Sequence, residues 1–191
     1  MCKKWGVSAF ILLLLVVAAC SSGTARPDKL NWKVMEFSGV DQDGQSLALS
    51  DLKGRVWLAN FIFTNCETVC PPMTANMVKV QRALQKSGLS VTMISFSVDP
   101  EVDSPQKLKE FGEKFGADFS SWHFLTGYTL EEVARLSRES FKAPVEKQPN
   151  STQVLHGTSF YLVDPSGTVV NKYDGLQPPL EEIVDDARSY Q

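Results

Sequence analysis

The chain has 191 residues, 43% of them hydrophobic, with 19 basic against 22 acidic side chains and a formal net charge of −3. Such a balance gives no support to nucleic acid as a partner, which calls for a clustered basic face. Four cysteines and two histidines are the thiol and imidazole donors available. Lys3 and Lys4 precede an apolar run over residues 7–19. At about 13 residues the run is shorter than the roughly 20 that span a membrane, so residues 1–19 read as an export signal. It closes in Val17-Ala18-Ala19-Cys20 followed by Ser21, Ser22 and Gly23. Small residues directly before a cysteine resemble a bacterial lipobox, in which Cys20 is lipidated; the alternative is an ordinary signal with a chance cysteine. A lipid on Cys20 would hold the protein at a cell membrane without spanning it, with its domain on the extracytoplasmic face.

Processing of this kind removes Cys2 and occupies Cys20, which leaves Cys66 and Cys70 as the free thiols. It also leaves 17 basic against 22 acidic residues. Residues 20–30 read as the lipidated cysteine and a Ser/Gly/Thr/Pro tether, and residues 31–191 as one domain with a proper core. Outside the cytoplasm a lone cysteine pair can persist as a disulfide.

Taken in chain order, residues 33–37 alternate weakly, as an edge strand would, and Asp43-Gly44 is a hairpin-type turn. Residues 55–63 are apolar on both faces and predict a buried central strand. Met73, Met77, Val80 and Leu84 recur at helical spacing over residues 73–86, with Gly88 as a stop. Residues 91–98 predict a second buried strand. Ser104-Pro105 supplies a cap and a first-turn proline for a helix to about Phe115. Residues 122–125 form a short strand, and Thr129 with Glu132 makes a capping box for a helix to about Ser140. Residues 142–151 are charged and proline-bearing and read as a mobile loop leading into His156. Residues 158–163 and 168–173 are strands joined by a turn at Asp164-Pro165-Ser166-Gly167, and Pro179 opens a last amphipathic helix. Alternating strands and helices give an α/β class. The cysteine pair between first strand and helix, with the closing hairpin and helix, specifies a thioredoxin-like fold with an N-terminal extension and an inserted helix.

In that fold the cysteine motif lies where a strand hands over to a helix N-terminus, which favours a thiolate. Three residues separate the sulfurs, and the extra length makes room for an ion between them. A disulfide, a redox couple and a soft-metal site therefore all remain open. His123, between Trp122 and Phe124, reads as a packing or surface histidine. His156 precedes the penultimate strand, a connection that passes beside the cysteines, and is a candidate third ligand. Two thiolates suit Cu(I) and an added imidazole suits Cu(II). Zinc is the rival, but a structural zinc usually takes four protein ligands. The spacing of Met73 and Met77 favours core packing over thioether ligation. Glu67 and Thr68 tune exposure and charge between the cysteines rather than ligate.

Thr64-Asn65-Cys66-Glu67-Thr68-Val69-Cys70-Pro71, Ser97-Val98-Asp99-Pro100, Trp122-His123-Phe124-Leu125-Thr126-Gly127, and His156 before Phe160-Tyr161-Leu162-Val163-Asp164 together resemble the Sco (SenC) family of copper-binding assembly proteins. The likeness runs from about Phe37 to Tyr173 and is nearest to lipid-anchored bacterial members. It implies a copper site of Cys66, Cys70 and His156, with the CuA centre of cytochrome c oxidase subunit II as the partner. It also implies Asp99 near the copper, orienting His156 or the thiols. Gly157 departs from the family, where a polar residue is frequent, and is expected to affect mobility of the histidine loop rather than metal identity. Two functions follow: a copper metallochaperone, or a thiol-disulfide reductase that keeps the client's cysteines reduced through the redox pair Cys66 and Cys70. Peroxide sensing is a weaker third, because no matching arginine motif is evident.

Overall fold

A computed structural model describes residues 30–149 and 151–191. The export signal at 1–19, the lipidation site Cys20 and the tether to residue 29 lie outside the described residues. Six strands form the main sheet, in the order β1 (Trp32–Lys33), β10 (Thr168–Asp174), β9 (Ser159–Val163), β4 (Trp57–Ile62), β5 (Thr92–Ser97), β6 (Trp122–Leu125). Three of them, β4 (Trp57–Ile62), β5 (Thr92–Ser97) and β6 (Trp122–Leu125), run parallel, each joined to the next through a helix. These are α1 (Cys70–Lys86) and α2 (Pro105–Phe115). On the other side of β4 the strands are antiparallel: β9 (Ser159–Val163), then β10 (Thr168–Asp174), then β1 (Trp32–Lys33). A last helix, α4 (Leu180–Arg188), packs against α1. Two small hairpins complete the chain, β2 (Ser38–Val40) with β3 (Ser46–Ala48), and β7 (Val145–Lys147) with β8 (Val154–His156). The helix α3 (Leu130–Phe141) is inserted between β6 and β7. This is the thioredoxin-like α/β arrangement expected from the sequence.

Every residue of β4 is buried. Alternation along the strand sends Trp57 and Phe61 to one face and Leu58 and Ile62 to the other. Trp57 and Phe61 meet Phe141 at the end of α3 edge-on, with ring centroids 6.4 and 5.4 Å apart. Phe96 of β5 stacks on Phe61 at 5.6 Å. The capping box of α3 forms as predicted: Thr129 Oγ1 accepts from the Glu132 amide, and the Glu132 carboxylate accepts from the Thr129 amide. Ser104 caps α2 in the expected way.

Three elements differ from their sequence reading. The strand predicted over 33–37 shrinks to Trp32–Lys33, because the Met35 amide turns away to donate to Ser140 Oγ of α3. The first helix begins at Cys70 rather than Met73, with Pro71 and Pro72 inside its first turn. The segment read as a loop before His156 contains β7, whose Val145 pairs with His156 and whose Lys147 pairs with Val154.

Candidate metal centre

Beyond β4 the chain makes a turn in which the Cys66 amide donates to Phe63 O at 3.3 Å. Val69 occupies the N-cap of α1 and offers no side-chain cap. The missing cap is supplied by sulfur, since the Cys70 amide donates to Cys66 Sγ at 3.3 Å. Pro71 and Pro72 carry no N–H, so most of the unpaired donors that a helix start exposes are either removed or turned on Cys66. That geometry holds negative charge on Cys66.

His156 arrives from β8 on the other side. Its Nδ1 lies 2.9 Å from Gly157 O and its Nε2 lies 3.2 Å from Cys70 Sγ. A carbonyl only accepts, so Nδ1 carries the hydrogen and Nε2 presents its lone pair to the sulfur. The ring stands edge-on to Phe63, with centroids 5.7 Å apart. Cys66, Cys70 and His156 are all buried, and their ligand atoms lie within 4.8 Å of one another. Both cysteines are free thiols.

The two sulfurs are not equivalent. The hydrogen bond from the Cys70 thiol, against the cost of burial, lowers Cys66 to about 3, with further help from the backbone amides of Cys70 and Thr68. The same bond, together with burial, pushes Cys70 far above the ordinary thiol range. The resting pair is therefore a thiolate at Cys66 and a thiol at Cys70 beside the imidazole lone pair.

The structure brings together Cys66, Cys70 and His156 and leaves the other candidates apart. Asp99 is buried, but its carboxylate receives Lys147 Nζ at 3.2 Å and does not bond to His156, whose Nδ1 is already satisfied by Gly157 O. His123 pairs with Asp41 at 3.1 Å, in keeping with a packing role. Met73 and Met77 are wholly buried in the core. Thr68 and Glu67 are exposed, with Thr68 Oγ1 3.9 Å from Cys66 Sγ.

One residue escaped the sequence reading. Asp103 is almost fully buried, and its carboxylate accepts from Thr64 N at 3.2 Å, from Thr64 Oγ1 at 2.6 Å and from Ser97 Oγ at 2.6 Å. Burial raises its carboxyl above the usual range, against the pull of the Ser97 and Thr64 donors. Its only sequence signal was its place directly before the cap Ser104, where an aspartate normally faces solvent.

Two thiol sulfurs and one imidazole nitrogen make a donor set for a soft ion. No further histidine, cysteine or carboxylate joins them among the described residues, so the set falls one short of a structural zinc site.

The family described as SCO1/SenC matches residues 26–191. The SCO1 protein homolog of Bacillus subtilis is 46% identical over 179 residues, which is 93% of this chain and 92% of that one. The structure of BsSco, described as having a disulfide switch and as a member of the Sco family of cytochrome c oxidase assembly proteins, is 48% identical with a TM-score of 0.79, covering 85% of this chain and 95% of that one. Bradyrhizobium japonicum ScoI with copper bound is 28% identical with a TM-score of 0.69, covering 85% and 99%. A match over nearly the whole described chain, on a fold that converges two cysteines and a histidine, leaves one assignment: the chain belongs to the SCO1/SenC family.

Proposed function

We propose that this protein is a copper-binding protein that acts in assembly of cytochrome c oxidase. It holds copper through Cys66, Cys70 and His156 and serves the CuA centre of subunit II. Its export signal and the lipid on Cys20 tether it to the cell membrane, with the domain on the extracytoplasmic face. The observation that carries the reading is the convergence of three buried soft and borderline donors with no fourth protein ligand among the described residues. Such a site can take copper in either oxidation state and release it. Copper here is cargo, and the chain's part is to keep one sulfur ionised and to aim the Nε2 lone pair. The copper-bound ScoI structure and the description of BsSco support this role.

A second reading rests on the asymmetry of the sulfurs. As a reductase, the Cys66 thiolate attacks a client disulfide and forms a mixed disulfide, expelling one client thiolate. Cys70 then passes its proton to His156 Nε2 and attacks the Cys66 sulfur. The second client thiolate leaves, and the pair ends as a Cys66–Cys70 disulfide.

Adding Cu(II) to the purified protein is expected to give an intense thiolate-to-copper band. Cys66→Ser and Cys70→Ser abolish tight binding, and His156→Ala weakens Cu(II) binding and alters the band. Retention of both copper states by His156→Ala at wild-type strength defeats the three-ligand site. In a deletion strain, restoration of oxidase activity by added copper supports delivery, whereas rescue by thiol reductant alone supports the reductase.

A further inference from the structure

We infer that one loop, residues 98–104 between β5 and α2, brackets the metal centre and sets the distance between its thiol and imidazole halves, with Asp103 and Lys147 as the positioning residues. The inference rests on the copper reading above and adds the residues that place the donors.

Each end of the loop grips a different half of the site. Asp103 reaches the cysteine half through three hydrogen bonds, two of them from Thr64, which lies two residues before Cys66. Thr64 lies inside the turn that the Cys66 amide closes on Phe63 O. Asp99 reaches the histidine half through Lys147 Nζ, which also lies 3.5 Å from Glu101 Oε2. Lys147 belongs to β7, in the hairpin whose register places Val145 opposite His156.

The two grips are rigidly joined. The amides of Val102 and Asp103 both donate to Asp99 O at 2.9 Å. Ser97 Oγ donates to Asp103 and accepts from the Asp99 amide at 3.2 Å. The loop is thus a fixed frame from which each half of the site hangs by its own grip. Gln153 Nε2 also bridges directly to Asn65 O at 3.3 Å, but that bond is solvent-exposed and neutral and makes the weaker brace.

Magnitudes separate placement from stability. Asp103 is buried with all its donors charge-assisted, so its bonds are of the strong kind. Lys147 is more than a third exposed, with 36% of its side chain accessible, and an ion pair of that kind contributes little to folding. Its consequence is geometric: it selects where the hairpin, and with it His156, comes to rest.

The full chain carrying Asp103→Ala, Thr64→Val, Lys147→Met or Lys147→Arg tests the bracket. Asp103→Ala and Thr64→Val are expected to shift the thiolate-to-copper band and to lower Cu(II) affinity by about tenfold or more, while the imidazole nitrogen coupling in the EPR spectrum persists. Lys147→Met is expected to weaken that nitrogen coupling and leave the band in place, and Lys147→Arg restores the coupling. In copper-free protein, hydrogen exchange at the Thr64 amide rises at least tenfold in Asp103→Ala and stays unchanged in Lys147→Met. The hairpin amides of β7 and β8 respond in the opposite sense. Thr64→Val deletes a single donor and gives the result for the cysteine arm if Asp103→Ala does not fold. Wild-type spectra in either arm, or all readouts moving together in both arms, overturn the bracket. A wild-type protein that fails to bind copper defeats the proposed function instead, and the exchange pattern alone then decides the bracket.

Discussion

A methyl group on Gly157 would lie 3.1 Å from Ala143 Cβ and 3.5 Å from the Tyr161 hydroxyl. The first distance is a few tenths of an ångström too short, so Ala143 or the 156–158 backbone must move. Ala143 is held at both ends, its amide donating to Ser137 O at 3.2 Å and its carbonyl accepting from Ser137 Oγ at 3.0 Å. The backbone of Gly157 is therefore the part that yields, and its carbonyl is the group that fixes the His156 ring. Overpacking of this kind costs about 1–3 kcal/mol. Removing a glycine from the unfolded chain returns about 0.4–1 kcal/mol. The net for Gly157→Ala is a loss of the order of 1 kcal/mol, read as a fall in Tm of roughly 2–4 °C in a domain of this size. Because the carbonyl acts on the ligand through the ring, Cu(II) affinity is expected to fall about tenfold. Thermal melts of the copper-free protein and competition titrations with a Cu(II) chelator measure both. A variant that melts higher than wild type and binds Cu(II) equally well would show that Ala143 gives way, and the reasoning would fail.

The ionisation of Cys66 has a pH signature. Its folded value is lowered from that of an ordinary thiol to about 3, so the unfolded chain binds the extra proton between those limits. The stabilisation is present above the ordinary thiol value and is lost as pH falls toward 3. The stability difference between reduced wild type and Cys66→Ser should therefore grow with pH from 5 to 8 in urea titrations, and a flat difference refutes the assignment. Thr129→Ala breaks the capping box of α3 and should cost about 1 kcal/mol without changing copper binding, as melts and chelator competition would show. Gly112→Ala forces a Cβ within 2.7 Å of the Phe119 ring and should destabilise by about 1–3 kcal/mol, and a neutral result would mean that Phe119 swings aside freely.

How much of this was legible depended on how locally each feature is encoded. The buried strand before the cysteines, the capping box at Thr129 and Glu132, and the turn at Asp43-Gly44 are written in a few adjacent residues, and all three stand in the structure. The convergence of His156 on Cys66 and Cys70 followed from fold topology, which spacing alone could not supply. The start of α1 was misplaced because its cap is a sulfur from four residues upstream, a signal that no N-cap preference contains. The strand β7 was hidden by charge and proline, because a two-stranded edge hairpin needs no apolar alternation. Asp103 and the partner of Asp99 were invisible for a related reason. A buried carboxylate and a solvent-facing one look alike until the chain places Thr64, Ser97 and Lys147 around them.

The antiparallel seam between β4 and β9 joins Trp57 to Val163, and the donors it unites are 86 residues apart. Such pairings form late, since a long loop must close before any contact rewards it. The cysteines at the end of β4 emerge early in synthesis, but they acquire their imidazole only once the chain has been made through β9. Until then an ion meets a dithiol with no imidazole held beside it, which neither fixes a coordination number nor excludes water. The seam thus makes metal competence a property of the finished molecule. A chain truncated before β8, and so lacking His156, should behave as a promiscuous thiol ligand rather than as a weaker version of the same site.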